Sequence, residues 1–223
     1  MGTLNTHQPI PTVTDNLFTQ GTIPTNSIGI SYAPTTASPD TLDAPGIMNG
    51  ELTFGGTDSS KYTGNITYVP ITSKSPANAY WGIDQSITYG KSKSTQILRN
   101  TAGIVDTGTT LLLLATDAFT AYKRATGATE DLHTGLLTLT QSQFDRLESL
   151  VFHIGGETFE LTPNAQIWPR ALNETIGGET GKIYLVVADM GSKLGAGLDF
   201  IDGFAFCKFF SDLRLFFPPD RAF

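Results

Sequence analysis

The feature that most constrains this chain is the run Ile104-Val105-Asp106-Thr107-Gly108-Thr109-Thr110, with leucine at each of positions 111–114 directly after it. One apolar segment enters, an Asp-Thr-Gly turn reverses it, and a second apolar segment leaves. Asp and Gly are ordinary turn residues, so the tripeptide alone says little. Its flanks say more. They drive both strands into a core and predict a buried carboxylate, which is costly unless it is hydrogen-bonded or protonated. Thr107, Thr109 and Thr110 supply hydroxyl donors around it. The pattern predicts a reactive Asp held at the end of a buried strand.

The rest of the chain reads as many short strands punctuated by Gly and Pro, with few helices. Residues 27–32 carry apolar side chains at every second position. Residues 51–54, 65–71, 80–83, 86–89, 151–154, 158–161 and 183–187 also read as strands. Residues 33–46, with Pro34, Pro39 and Pro45 among Thr, Ser and Asp, read as loop. Two or three short helices are expected. One spans residues 13–21, with Asp15 as N-cap and Gly21 as stop. A second spans 116–125 and ends at Gly127. A third spans 140–150, with Thr140 as cap and apolar residues at 144, 147, 150 and 151. No internal repeat and no shift of composition calls for two domains. The fold class is mainly β, a barrel or sandwich.

The 223 residues suffice for a sizeable core. Lys and Arg number 14 against 21 Asp and Glu, a net charge of −7. That balance offers no basic face for nucleic acid and no basic patch for an anionic membrane. No run is apolar for long enough to span a bilayer. Cys207 is the single cysteine, which leaves no disulfide within the chain and no cysteine metal site. His7, His133 and His153 are far apart and lack metal-ligand spacing. Neither a metal nor a cofactor is expected. No Gly-x-Ser-x-Gly elbow or supporting His suggests a Ser/His/Asp triad. Met1-Gly2-Thr3-Leu4-Asn5 has neither the basic start nor the apolar run of a signal peptide. Asn65-Ile66-Thr67 and Asn173-Glu174-Thr175 are glycosylation sequons.

Several further segments bear on family. They are the segment around Pro11 to Gly21, Gly50-Glu51-Leu52-Thr53-Phe54-Gly55-Gly56 continuing to Gly64, Tyr80-Trp81-Gly82-Ile83 followed by Ser86-Ile87, and Phe200-Ile201-Asp202-Gly203-Phe204-Ala205-Phe206. In this order, and together with the Asp106 turn, they resemble the pepsin-like aspartic proteases, in particular the polyporopepsin-like enzymes of basidiomycete fungi. The resemblance covers residues 8–206. It implies a pepsin-like acid-protease β-barrel lobe: residues 27–206 as the C-terminal lobe, 1–26 as the end of the N-terminal lobe, and 207–223 as a divergent tail. It implies an aspartic-type endopeptidase acting on polypeptides at acid pH, with Asp106 as a catalytic residue. Thr107 would bond across the lobe interface, Gly108 would permit the tight turn, and Thr109 and Thr110 would contact carboxylate or substrate backbone. Gly203 would lie beside the strand that supports the loop. An extracellular or vacuolar location is implied, in keeping with a sequence pI near 4.8.

The departures from the family are equally specific. Its chemistry uses two Asp-Thr/Ser-Gly loops and a flap carrying a Tyr, and only the Asp106 loop is present. Asp58-Ser59-Ser60 lacks the Gly, and Asp189-Met190-Gly191 lacks the hydroxyl residue. Asp202 stands before Gly203, where the family is usually less charged, and the family's closing strands are not recognisable after Phe206. The chain therefore reads as starting near the end of the first lobe. Two functions are weighed: a peptidase completed by a second lobe or by a homodimer with one Asp106 per subunit, and an inactive lobe that binds peptides or complements another lobe. A glycosidase-type carboxylate pair is disfavoured by the order of the motifs.

Overall fold

The computed structural model describes residues 10–32, 50–91, 94–209 and 213–215. Its elements in chain order are α1 (Val13–Thr19), β1 (Ile28–Tyr32), β2 (Gly50–Phe54), β3 (Thr67–Val69), β4 (Gly82–Tyr89), β5 (Thr95–Val105), β6 (Leu112–Leu114), α2 (Thr116–Thr126), β7 (Thr129–Glu130), β8 (Leu137–Leu139), α3 (Gln141–Phe144), β9 (Leu150–Ile154), β10 (Glu157–Leu161), β11 (Ile183–Tyr184), β12 (Val187–Asp189), β13 (Phe200–Asp202), α4 (Phe204–Cys207) and β14 (Leu213–Leu215). The molecule is mainly β, as the sequence implies. The loop read at residues 33–46 lies outside the described residues.

Seven strands form the main sheet in the order β10-β9-β4-β5-β13-β6-β12. Strands β5 and β6 are neighbours in sequence but not in the sheet. β13 lies between them, parallel to β5 (Ile201↔Ile104, Asp202↔Val105) and antiparallel to β6 (Phe200↔Leu114, Asp202↔Leu112). The phase of β4 shows how the core is built. Ile83, Gln85, Ile87 and Tyr89 point inward and are buried, while Asp84 faces out. Ile83, Ile87, Leu98, Leu112, Leu114, Leu150, Phe152, Ile154 and Phe200 join one cluster with Phe119 and Tyr122 of α2 and Phe206 of α4. Each fully buried Leu, Ile or Phe contributes about 1.5–3 kcal/mol of apolar transfer free energy. Tyr122 donates to Gln166 Oε1 at 2.9 Å, and Gln166 Nε2 donates to the carbonyls of Glu148 and Leu161, so this buried amide is paired at both ends.

The two-stranded sheet β1-β2 is different. Its only buried residue is Gly29, and Leu52 and Phe54 are 53% and 40% exposed. A third sheet, β11-β8-β7, packs on the body, and the backbone of β14 pairs in parallel with β3.

Several sequence expectations are adjusted by the fold. The segments at 80–83 and 86–89 belong to one strand, β4, and 183–187 divides into β11 and β12. Asp15 is not the N-cap of α1. Thr12 is, and Asp15 sits three residues on as its capping-box partner, accepting from Thr12 N at 2.7 Å. Gly21, with φ 70°, follows the C-cap Gln20. The helix expected over 140–150 is one turn, α3, capped by Thr140 and Gln143. The chain then leaves the helix because Leu150 is taken up by β9, opposite Tyr89 and Leu161.

Candidate active site

Strand β5 delivers Asp106 to the end of the main sheet, one residue past Val105, and the turn follows at Thr107 and Gly108. Gly108 N donates to Asp106 Oδ1 at 2.9 Å, and Thr109 Oγ1 donates to Oδ2 at 2.7 Å. Each carboxylate oxygen thus has one donor, which fixes the plane of the group. Asp106 is only half-buried, and Thr107, Gly108 and Thr110 are exposed. This corrects the expectation of a buried carboxylate: the apolar flanks bury Ile104 and Leu112, while the turn between them stands out of the core.

The supporting groups come from the other end of the sequence. Asp106 N donates to the carbonyl of Asp202 at 3.1 Å. Beyond Asp202, the main-chain N–H groups of Phe204 and Ala205 donate to the carbonyls of Thr109 (2.6 Å) and Thr110 (3.1 Å). Gly203 makes this stitch possible, because a Cβ there would collide with the carbonyls of Leu111 and Thr109. At Gly108 the space is tight rather than closed. Its φ is not in the left-handed region, but a Cβ would come within 3.2 Å of Asp106 Oδ1. Close approach to the carboxylate, rather than backbone freedom, is its contribution.

The three threonines divide their work. Thr109 alone donates its hydroxyl to the carboxylate. Thr107 lies beside Tyr32 of β1, whose ring packs edge-on against Phe204 at 4.8 Å between centroids. Burial pushes the Tyr32 phenol up. Thr110 contributes its carbonyl to Ala205. Tyr32 and Phe204 are therefore loop supports that the motif did not indicate, and nothing in the local sequence signals a partner so distant from Thr107.

No second available carboxylate joins Asp106 among the described residues. Asp189 has a similar cradle: Gly191 N and Thr116 Oγ1 both donate to its Oδ1 at 2.8 Å, the hydroxyl coming from α2 rather than from the missing motif residue. Yet Asp189 pairs with Leu114 at the far end of β6, whereas Asp202, beside Asp106, pairs with Leu112 at the near end. Asp189 thus lies on the edge strand β12, two residues along β6 from the Asp202 level. Asp58 accepts from Ser60 and caps a short 3₁₀ turn. Asp202 adjoins Asp106 but is 0% exposed, with its carboxyl turned to Gln85. Gln85 and Asp202 form a buried polar pair that sequence reasoning missed. The signal was present, since Gln85 falls in phase with Ile83, Ile87 and Tyr89.

Among the described residues no cluster of His, Cys, Asp and Glu could hold a metal. His133 and His153 are apart, the latter bonded to Thr88, and His7 lies outside the described residues. No described helix is long and apolar enough to cross a membrane. Burial pushes the Cys207 thiol up to about 12, which leaves it unreactive. The two sequons differ. Asn65 is exposed, whereas Asn173 is 1% exposed and its Nδ2 donates to the carbonyls of Glu179 and Lys182.

Comparison with known proteins places this geometry. The family profile described as eukaryotic aspartyl protease matches residues 3–177. Polyporopepsin of Irpex lacteus is 62% identical over 212 residues, 94% of this chain and 60% of that protein. Rhizopuspepsin-1 of Rhizopus niveus is 32% identical over 176 residues, 79% of this chain and 41% of that one. The crystal structure of the aspartic proteinase from Irpex lacteus superposes with a TM-score of 0.85 at 62% identity, covering 93% of this chain and 59% of that chain. The chain therefore spans about 60% of the length of the Irpex lacteus proteins and 41% of rhizopuspepsin-1, less than two thirds of each.

Proposed function

The chain belongs to the eukaryotic aspartyl proteases, and from that premise we propose that it is the C-terminal lobe of an aspartic endopeptidase, residues 27–206, supplying one catalytic carboxylate, Asp106. In this reading residues 1–26 are the end of the N-terminal lobe and 207–223 a divergent tail. The observation that carries it is the half-exposed Asp106 carboxylate, held by Gly108 N and the Thr109 hydroxyl at a strand end. Thr107, Thr110 and Gly203 hold the loop. A second Asp, from a separate lobe or from another copy of this chain, faces it. Two carboxylates in contact share one proton because both cannot ionise, the situation aspartic proteases exemplify. The ionised member takes a proton from water as it attacks the peptide carbonyl, the protonated member polarises that carbonyl, and the roles reverse as the amine leaves, the first member giving its proton to the nitrogen. The substrates are polypeptides, the working pH is acid, and the location is extracellular or vacuolar.

A second reading, an inactive lobe that binds peptides or complements another lobe, is favoured by one observation. The neighbouring Asp202 is buried, and Asp189 stands on the edge strand β12, at the far end of β6. Cleavage of a denatured protein at acid pH separates the two. Activity that rises more steeply than linearly with protein concentration and vanishes in Asp106→Asn identifies a homodimer. Activity that requires an added N-terminal lobe identifies lobe complementation by a catalytic half. Folded protein inactive under both conditions overturns the peptidase reading and leaves the binding module.

A further inference from the structure

Beneath the Asp106 turn lies a polar pair that the proteolytic reading does not use. Gln85 and Asp202 are each 0% exposed, in a layer otherwise made of Ile83, Ile87, Leu112 and Phe200. Gln85 Nε2 donates to Asp202 Oδ1 at 3.1 Å. The remaining halves of the two groups, Gln85 Oε1 and Asp202 Oδ2, are buried with no partner. Both are acceptors when the acid is ionised, so neither can serve the other, and a buried acceptor without a donor is costly. A single proton on Asp202 changes this. The acid then has one donor and one acceptor, the amide has one of each, and the two groups complete a cyclic pair of hydrogen bonds.

No cation among the described residues compensates a charge at this point. On β4, Asp84 turns outward and accepts from Thr72 at 3.0 Å. On β5, Arg99 is exposed, and Asp106 reaches Asp202 only through its main-chain N–H. The pairing segment of β6 carries only leucine. On α4, the Cys207 sulfur lies 3.7 Å from the Asp202 carbonyl, and Lys208 just beyond is directed over the Phe209 ring. Burial pushes the Asp202 carboxyl well above the usual carboxylate range, outweighing the Gln85 hydrogen bond, which acts the other way.

We propose that Asp202 is a neutral carboxylic acid in the folded protein, donating its proton to Gln85 Oε1 while Gln85 Nε2 donates to Oδ1, and that this pair fastens the strand end from which the Asp106 turn hangs. Asp202 is thus a positioning residue: its carbonyl takes the Asp106 N–H, and Gly203 follows it directly. The fastening depends on pH. A carboxyl raised in the folded state contributes its stability fully below the unfolded-state pKa of about 4 and loses it as pH rises toward the folded-state value. The latch is closed in acid and strained near neutrality.

The test is independent of proteolysis. Asp202→Asn keeps the shape, offers Gln85 the same acceptor and a donor, and has no proton to lose. Urea unfolding of this variant and the parent is compared between pH 3.5 and pH 7, taken in steps of about half a unit across the window in which such a carboxyl titrates. The ratio of the two unfolding constants is expected to be level in acid and then to move in favour of the Asn variant by up to about tenfold per pH unit. Parallel profiles would overturn the proposal. Should the variant not fold, the ¹³Cγ resonance of Asp202 in aspartate-labelled parent, assigned through its own Hβ, decides the matter. It is expected to stay at the position of a neutral acid after the exposed aspartates have ionised, and titration together with them would sink the idea.

Discussion

Asp106 and Asp202 sit at the ends of adjacent parallel strands and are joined by a main-chain hydrogen bond, yet their carboxyl groups have opposite fates. Asp202 is the last residue of β13, in register with Val105, and its side chain enters the layer that contains Gln85. Asp106 lies one residue beyond that register, in the turn, where water reaches it and each oxygen has a donor. A step of one residue reverses the face of a strand. The comparison shows that availability is set by strand phase at the point where the chain leaves the sheet, and not by how apolar the flanks are.

The comparison is broken most severely at the residue between the two environments. Gly203→Ala puts a methyl group into the carbonyls of Leu111 and Thr109 and is expected to cost about 3 kcal/mol, the upper part of the range for overpacking. Urea unfolding of the variant measures this, and an unchanged midpoint would mean that the Asp106 turn does not rest on β13. A smaller effect is expected at the turn itself. Thr109→Val removes the donor to Asp106 Oδ2 and should cost about 1 kcal/mol, with Thr109→Ser restoring it. Equal stability of the Val and Ser variants would show that water replaces the hydroxyl without loss. The smallest effect sharpens the contrast with a third aspartate. Asp131 accepts from Lys182 Nζ at 3.0 Å and from His133 N at 2.8 Å, and Lys182 foremost holds its carboxyl down to about 2. Its contribution is present above the unfolded-state pKa of about 4 and fades as pH falls toward the folded value, the reverse of Asp202. Asp131→Asn should therefore lower stability above about pH 4, make progressively less difference as pH falls toward 2, and so flatten the acid limb of the profile. A loss of stability confined to acid pH, with none at neutrality, would contradict the assignment.

What was legible in the sequence follows the reach of each interaction. Asp106, Gly108 and Thr109 form a local unit, and their association is readable because its hydrogen bonds span two or three residues. The apolar alternation of β1, β4 and β9 is equally local. The reading failed where a distant partner decides. Gln85 and Asp202 are 117 residues apart, and only the fold shows that one faces the other. Thr107 lies beside Tyr32, which belongs to another sheet. The helix read over 140–150 was overlong because its apolar spacing also suits one helical turn followed by a strand, and pairing of Leu150 with β4 and β10 selects the latter.

The position of β13 also bears on the order in which the molecule can assemble. During synthesis β5, the Asp106 turn and β6 emerge together, yet the two strands never pair with each other, since the slot between them belongs to a segment made almost a hundred residues later. Until that segment inserts, the turn has neither the Asp202 carbonyl for its first N–H nor α4 for its own carbonyls. Contacts so distant in sequence form slowly, and partly assembled sheets expose open edges meanwhile. The loop that carries Asp106 is translated before the segment that completes it, so until β13 is made the chain holds the sequence of the turn without its support.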